Sequence, residues 1–510
     1  MSKTLVLDGN SLTVEQCYTA VTQRWSVQLS PQAEERVRRS RHIVEQWIDQ
    51  GETIYGVTTG FGDLATHRIS AEQVETLQQN LILSHSAGVG DWIPPDISRA
   101  ILLLRINALA KGVSGVRLEL LQQLLSLLNT GYVPAIPGKG SVGSSGDLAP
   151  LAHLVSALQG YGWMWSPADQ LLPAKEALAQ LSLAPLSLAA KEGLALINGT
   201  QMMSAYGVFA VMHGKRLCQL ADLIGALSVD ALRGSDTPFA SFIHQMRPHP
   251  GQQQSATNLR TLLAGSQIRE SHRQDDPRVQ DPYSLRCMPQ VHGAVRDTLA
   301  FAESVLNREI NAATDNPLID PETQQHFEGG NFHGEPIAFV LDYLAIALAE
   351  LGSIAERRIA QMMMGYGGIP KFLTAAGGLN SGLMIAQYTA AALVGENKIF
   401  AHPASIDSIP TSANQEDHNS FGSIAAHKVW HIVQNLYRIF AIELLCATQA
   451  LEYHRPLRSS PALEAVYATV REIVPPYTTD RYLADDIAKL EQLLWQDTLL
   501  TRCQPYCSLQ

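Results

Sequence analysis

Apolar residues recur along this chain at three- and four-residue intervals. Leu118, Leu121, Leu124, Leu125 and Leu128 make one such stripe, which predicts an amphipathic helix. Ser114 is placed to cap its start and Gly131 to end it. Val429, Ile432, Val433, Leu436, Ile439 and Phe440 mark a second, longer helix. The alanine-rich stretches 292–312, 336–363 and 381–396 carry the same period. Strand signals are few and short, as at Thr4-Leu5-Val6-Leu7. The expected class is mainly α, a long-helix bundle with a loop-rich N-terminal part.

Turn residues refine that picture. Tyr132 to Gly146 is rich in proline and glycine, and Pro167, Pro173 and Pro185 break the stretch 163–186 into loop with short helices. Residues 266–283 are polar and charged, as in an exposed loop. A loop-rich part over 1–200 and a helix-rich part over 201–510 are expected, forming one continuous unit because no linker divides them. The most apolar stretch, 337–355, is interrupted by Asp342 and Glu350, which argues against a membrane span.

Hydrophobic residues make up 46% of the 510 and charged residues only 17%, so a large core is available while little charge is left to cover surface. That balance suits a chain that hides surface in subunit contacts, or a monomer with a big core. The net charge of -11 and the lack of a basic run exclude nucleic acid as the expected partner. Six scattered cysteines form no CxxC pair and suit a reducing cytoplasm. Cys503 and Cys507 are the one close pair; a frayed terminus is the expectation there, with zinc binding the alternative.

Gly138-Lys139-Gly140-Ser141-Val142-Gly143 fits the dinucleotide pattern GxGxxG. The context is wrong for it: Pro134 and Pro137 spoil a preceding central strand, and no alternation of strands and helices follows. The next residues, Gly143-Ser144-Ser145-Gly146-Asp147, carry more chemistry. By itself such a run reads as a turn before a helix capped by Asp147. It has one unusual option. The amide nitrogen of Gly146 can attack the carbonyl carbon of Ser144 and close a five-membered ring. Glycine helps because no Cβ obstructs so contorted a backbone. Loss of two waters leaves an exocyclic methylene on an electron-poor ring, an electrophile that no ordinary side chain offers.

The run GSVGSSGDLAPLAH, with several separated motifs, resembles the aromatic amino acid ammonia-lyase and aminomutase family. That family builds a methylidene-imidazolone (MIO) from an internal Ala-Ser-Gly. Here Ser144 stands where the family usually has alanine. The resemblance implies an autocatalytic MIO from Ser144, Ser145 and Gly146, no external cofactor, and a homotetramer with shared sites; the lack of a recognised ligand spacing predicts no metal, and the interrupted apolar stretch predicts a soluble chain. Tyr55, in Ile54-Tyr55-Gly56-Val57-Thr58-Thr59-Gly60-Phe61-Gly62, resembles the base on the family's inner loop. Asn198 and Tyr283 are implied at the electrophile, with Gln280 nearby. Arg286 is the candidate for the substrate carboxylate, because arginine grips a carboxylate with two parallel hydrogen bonds. Phe332, in Gly329-Gly330-Asn331-Phe332-His333-Gly334-Glu335, would wall the substrate ring.

Two features select the ring. Ser84-His85 resembles the pattern of the family's histidine-specific members, where others carry Phe-Leu or His-Leu. A histidine side chain can exchange a hydrogen bond with an imidazole, whereas an apolar wall would leave the imidazole nitrogens unpaired. Gln415-Glu416-Asp417-His418 is the second feature, and Glu416 would hold the imidazole or assist proton transfer. No HExxH or other recognised ligand spacing occurs nearby. The implied reaction is L-histidine to trans-urocanate and ammonia. An aminomutase, a tyrosine lyase and a non-catalytic scaffold are the alternatives.

Overall fold

The structure is a computed structural model that describes residues 3–59, 73–274 and 276–510. Residues 60–62 of the glycine-rich motif after Tyr55 lie outside them. Helices dominate, and the described strands are short. The chain divides into two compact units assembled from discontinuous segments. The first comprises Met1–Met212, Ala302–Asp342 and Pro403–His427, and the second His213–Phe301, Tyr343–His402 and Lys428–Gln510.

In the first unit the helix Pro95–Leu109 is buried on all sides from Ile97 onward. It carries Arg99, Arg105 and Asn107 into the interior, so each needs partners there. The leucine stripe predicted at 118–128 forms the helix Leu118–Thr130, with Leu121, Leu124 and Leu128 fully buried. Leu125 is less buried than they are. Gly131 ends it in the left-handed region, at φ 84°. Ser114 does not cap it. The N-cap is Arg117, without a side-chain cap, and Ser114 is buried in the preceding turn.

Prolines did not prevent strands after residue 132. Val133–Ala135, which contains Pro134, lies at the edge of a three-stranded sheet with Trp163–Trp165 and Leu171–Pro173. An edge position needs no N–H on one side and so tolerates proline. The 163–186 stretch therefore holds this hairpin as well as the short helix Ala174–Gln180. Pro137–Lys139 pairs antiparallel with Val89–Trp92. Among the described residues the one parallel pair of strands is Thr4–Leu7 with Ser26–Leu29, so no parallel sheet follows the GxGxxG run.

In the second unit the face predicted from Val429 to Phe440 lies on the helix Gly422–Leu451, and all six of its marker residues are fully buried. Arg358 and Glu443 are buried with them as an ion pair; Arg358 Nη2 donates to Glu443 Oε2 at 3.0 Å, and Ser228 Oγ donates to Oε1 at 2.7 Å. Three long helices are thereby joined through one carboxylate. The 266–283 stretch is not simply an exposed loop. It contains the helix Gln267–Glu270, and Ser266, Ile268, Arg269 and His272 are buried. Arg269 and Arg273 converge on Asp236 there, both at 2.9 Å. Nor do Cys503 and Cys507 fray: both are buried, with sulfurs 3.1 Å apart.

The helix Glu335–Met364 is long and apolar enough to cross a membrane by length and composition, and 61% of its most apolar window is buried in the fold. Asp342 on it is buried and accepts from the amides of Ala404 and Ser405, both at 2.8 Å. That is the arrangement of a helix packed into the core of the fold.

Candidate active site

Three helices of the first unit pack against one another: Val74–His85, Ala149–Leu158 and Glu192–Ile197. His85 closes the first of them. Asn198 is the C-cap of the third. The tripeptide Ser144-Ser145-Gly146 leads into the second. Together they line a cavity of about 620 Å³ with Tyr55, Phe332 and Glu416. Residues distant in sequence thus meet where the glycine-serine loop is held.

The backbone of that loop is constrained. Gly146 has φ 75° and forms a parallel bridge with Gly199. A Cβ on Gly146 would lie 2.2 Å from the Gly199 carbonyl oxygen, so no larger residue fits. Leu148 has φ 47° and ψ -91°, a costly conformation for a side chain branched at Cγ. Asp147 does not cap the helix that follows it. It is fully buried and accepts from the amides of Met202, at 2.5 Å, and Met203, at 3.4 Å. Those amides open the helix Gln201–Ala231, whose dipole favours a negative group there. Burial outweighs these bonds and pushes the Asp147 pKa up to about 7.

Side chains around the tripeptide are fixed in turn. Asn198 Nδ2 donates to the Ser145 carbonyl oxygen at 2.8 Å. The Asn198 carbonyl accepts from Arg105 Nη1 at 2.9 Å, and Arg105 also donates to Gln201 Oε1 at 2.7 Å. Asn198 Oδ1 is buried without a hydrogen-bond partner among the described residues. Glu416 receives three hydroxyls: Ser145 Oγ on Oε1, and Ser144 Oγ and Thr411 Oγ1 on Oε2, at 2.8–3.0 Å.

His85 Nδ1 lies 2.8 Å from the Leu81 carbonyl oxygen, which can only accept. The proton therefore sits on Nδ1, and Nε2 is the acceptor of the neutral ring. Burial lowers the His85 pKa and favours that neutral form, with the Leu81 bond and the charge of Glu416 working against it. His153, at the end of the GSVGSSGDLAPLAH run, accepts from the Gly88 amide at 2.9 Å. It ties the segment after Ser84-His85 to the helix after the tripeptide.

Not every predicted residue reaches this cavity. Gln280, Tyr283 and Arg286 belong to the second unit and are not among its lining residues. Tyr283 and Arg286 do share a helical face: they bound the helix Tyr283–Arg286, and the guanidinium lies 4.7 Å from the tyrosine ring centre. Gln280 and Arg286 line a second cavity, of about 450 Å³, with Ser235 and Asp281.

The fold also assembles donors that sequence spacing did not announce. Atoms of His333, Glu335 and His418 lie within 4.8 Å of one another, a set whose chemistry suits a divalent cation. Both nitrogens of His333 are already engaged, Nε2 with the His418 carbonyl and Nδ1 with the Glu335 amide. A cation would have to displace one of these bonds. Sequence reasoning missed the supporting residues Arg105, His153 and Thr411. Thr411 carries no signal of its own. His153 lies inside the recognised run, and Arg105 stands out only as a charge within an apolar helix.

The family model described as aromatic amino acid lyase matches residues 12–472. A histidine ammonia-lyase of Caldanaerobacter subterraneus is 50% identical over 486 residues, covering 95% of each chain. Among solved structures, the histidine ammonia-lyase of Trypanosoma cruzi has a TM-score of 0.91 and 43% identity, covering 99% of this chain and 96% of its own. The tyrosine aminomutase of Streptomyces globisporus has a TM-score of 0.94 and 39% identity, covering 100% of both chains.

Proposed function

Because the chain belongs to the aromatic amino acid lyase family, we propose that it eliminates ammonia from L-histidine to give trans-urocanate. The observation that carries this reading is the meeting of His85 and Glu416 at the Ser144-Ser145-Gly146 loop. An imidazole entering the cavity finds an acceptor, neutral His85 Nε2, and a carboxylate. A phenyl ring could neither donate to His85 Nε2 nor answer the carboxylate's charge.

The tripeptide suits conversion to MIO on structural grounds. Gly146 already occupies a left-handed conformation where no side chain fits, and Asn198 already grips the Ser145 carbonyl. MIO supplies an electron-poor methylene that captures electrons from the substrate. Tyr55 is the base for the β-proton, and Phe332 walls the ring. Arg286 orients the carboxylate, and Tyr283 lies at the electrophile with Gln280 nearby, in a site shared between subunits of a homotetramer. The exposed Phe301, Tyr343 and Ile346, which line an apolar groove of about 800 Å³ in the second unit, support the oligomer. The free cysteines suit a reducing cytoplasm.

The test is ultraviolet detection of urocanate from histidine, with intact mass recorded in parallel. The native protein should weigh two waters less than its sequence and form urocanate. Ser145→Ala should retain the waters of ring formation and lose the activity. Equal activity in both proteins would defeat the assignment. The similarity to an aminomutase fold favours one second reading, in which the amine returns to the β-carbon. β-Histidine without lasting urocanate would establish it. Coumarate from tyrosine would instead mark a tyrosine lyase.

A further inference from the structure

Glu416 is the meeting point of three hydroxyls, and they divide unequally between its oxygens. Ser144 Oγ and Thr411 Oγ1 donate to Oε2, at 2.9 and 2.8 Å. Ser145 Oγ donates to Oε1 at 3.0 Å. The backbone under Glu416 is fixed separately. Its carbonyl accepts from the Thr411 amide at 2.9 Å, and its amide donates back at 3.3 Å. This closes a loop in which Ser412, Ala413 and Asn414 all have positive φ. What the backbone leaves undetermined is which oxygen of the carboxylate faces the substrate.

Ring formation changes the balance among the three bonds. The Gly146 nitrogen bonds to the Ser144 carbonyl carbon. That carbonyl's oxygen leaves as water with the amide hydrogens of Ser145 and Gly146. A second water takes the Ser145 hydroxyl together with the Ser145 Cα hydrogen. No electrons are gained or lost, and the Ser144 side chain takes no part. Oε1 therefore loses its Ser145 donor, while the Ser144 hydroxyl survives beside Oε2.

We propose that Ser144, with Thr411, is a positioning residue that anchors Glu416 Oε2, so that the loss of the Ser145 hydroxyl frees Oε1 for the substrate imidazole. This deepens the histidine reading given above and rests on it. A carboxylate held through one oxygen by two hydroxyls has little rotational freedom left. Its ordering is completed in the free protein rather than charged to substrate binding. With the family's usual alanine at this position, Thr411 would be the sole remaining anchor of the pair.

The experiment uses the full-length protein and its Ser144→Ala, Ser144→Thr, Glu416→Ala and Ser144→Ala/Glu416→Ala variants. Intact mass should show the loss of two waters in all five. Ser144→Ala should lower kcat/KM for histidine by about 2- to 12-fold, the range expected for one side chain losing its pre-ordering. Ser144→Thr, which keeps the hydroxyl, should restore it. In the Glu416→Ala background, Ser144→Ala should change nothing further, since its effect passes through the missing carboxylate. The proposal is overturned by an unchanged kcat/KM in Ser144→Ala, by an equal loss in both backgrounds, or by failure of Ser144→Ala to shed its waters. A native protein that makes no urocanate would instead overturn the underlying reading.

Discussion

Asp147 illustrates how a single residue can be read correctly as important and wrongly in role. Its place before a helix suggested a local cap, but its carboxylate reaches the amides of Met202 and Met203. Burial raises its pKa from 3.8 to about 7, so the folded chain holds a proton that the unfolded chain releases between those values. Its contribution to stability is therefore full below pH 3.8 and is lost as pH rises toward about 7. Calorimetry of Asp147→Asn across this window should show less decline with pH than the native protein; parallel curves would show that Asp147 does not titrate there. Gly146→Ala gives a sharper test of the backbone. The added Cβ would meet the Gly199 carbonyl oxygen at 2.2 Å in a left-handed conformation. Intact mass should then show no loss of water. The tripeptide, His85, Asn198 and Glu416 were legible because each stands in a recognisable run. Thr411 and Arg105 were not, because their roles exist only through partners far along the chain.

Elements were legible where period and end signals agreed. The helix Leu118–Thr130 had both a leucine stripe and Gly131. Gly131→Ala should cost about 1 kcal/mol by chemical denaturation, because alanine resists φ 84°. Its start was misjudged because Ser114 precedes a turn that the sequence did not reveal. Strands of three residues with proline at an edge left too little pattern to read. The stretch 266–283 misled because its charges pair with Asp236 and with one another, which ties a polar segment to the fold. Long helices raise another issue, since Arg358 and Glu443 interrupt apolar runs that seemed sufficient for packing. Glu443→Ala should destabilise the fold by about 3–5 kcal/mol, read by urea unfolding, because it strands a buried guanidinium. A loss below about 1 kcal/mol would mean that Arg358 finds another partner.

The whole molecule poses the question of where Gln280, Tyr283 and Arg286, proposed to act at the substrate, are used. Gln280, Tyr283 and Arg286 line no part of the cavity that holds His85 and Glu416. If sites are shared between subunits, two inactive chains can repair one another. Co-expression of Tyr55→Phe with Arg286→Ala should recover a measurable fraction of native activity in mixed oligomers, where each alone has almost none. No recovery, or a clean monomer by gel filtration, would remove the shared-site picture. The sparse charge of the sequence suits either subunit contacts or a monomer with a big core, and the exposed Phe301, Tyr343 and Ile346 are the apolar surface that the proposed oligomer would cover.

The sequence by itself determined what depends on neighbours along the chain. A helical period needs only residues three and four apart, and ring closure needs only a nitrogen two residues beyond a carbonyl. Both are written in short runs. Only the tertiary structure decided which distant groups would meet. Ser144 and Glu416 lie 272 residues apart, yet share a hydrogen bond of 2.9 Å. No local pattern encodes that distance, because it is set by the packing of whole helices and the burial that drives it.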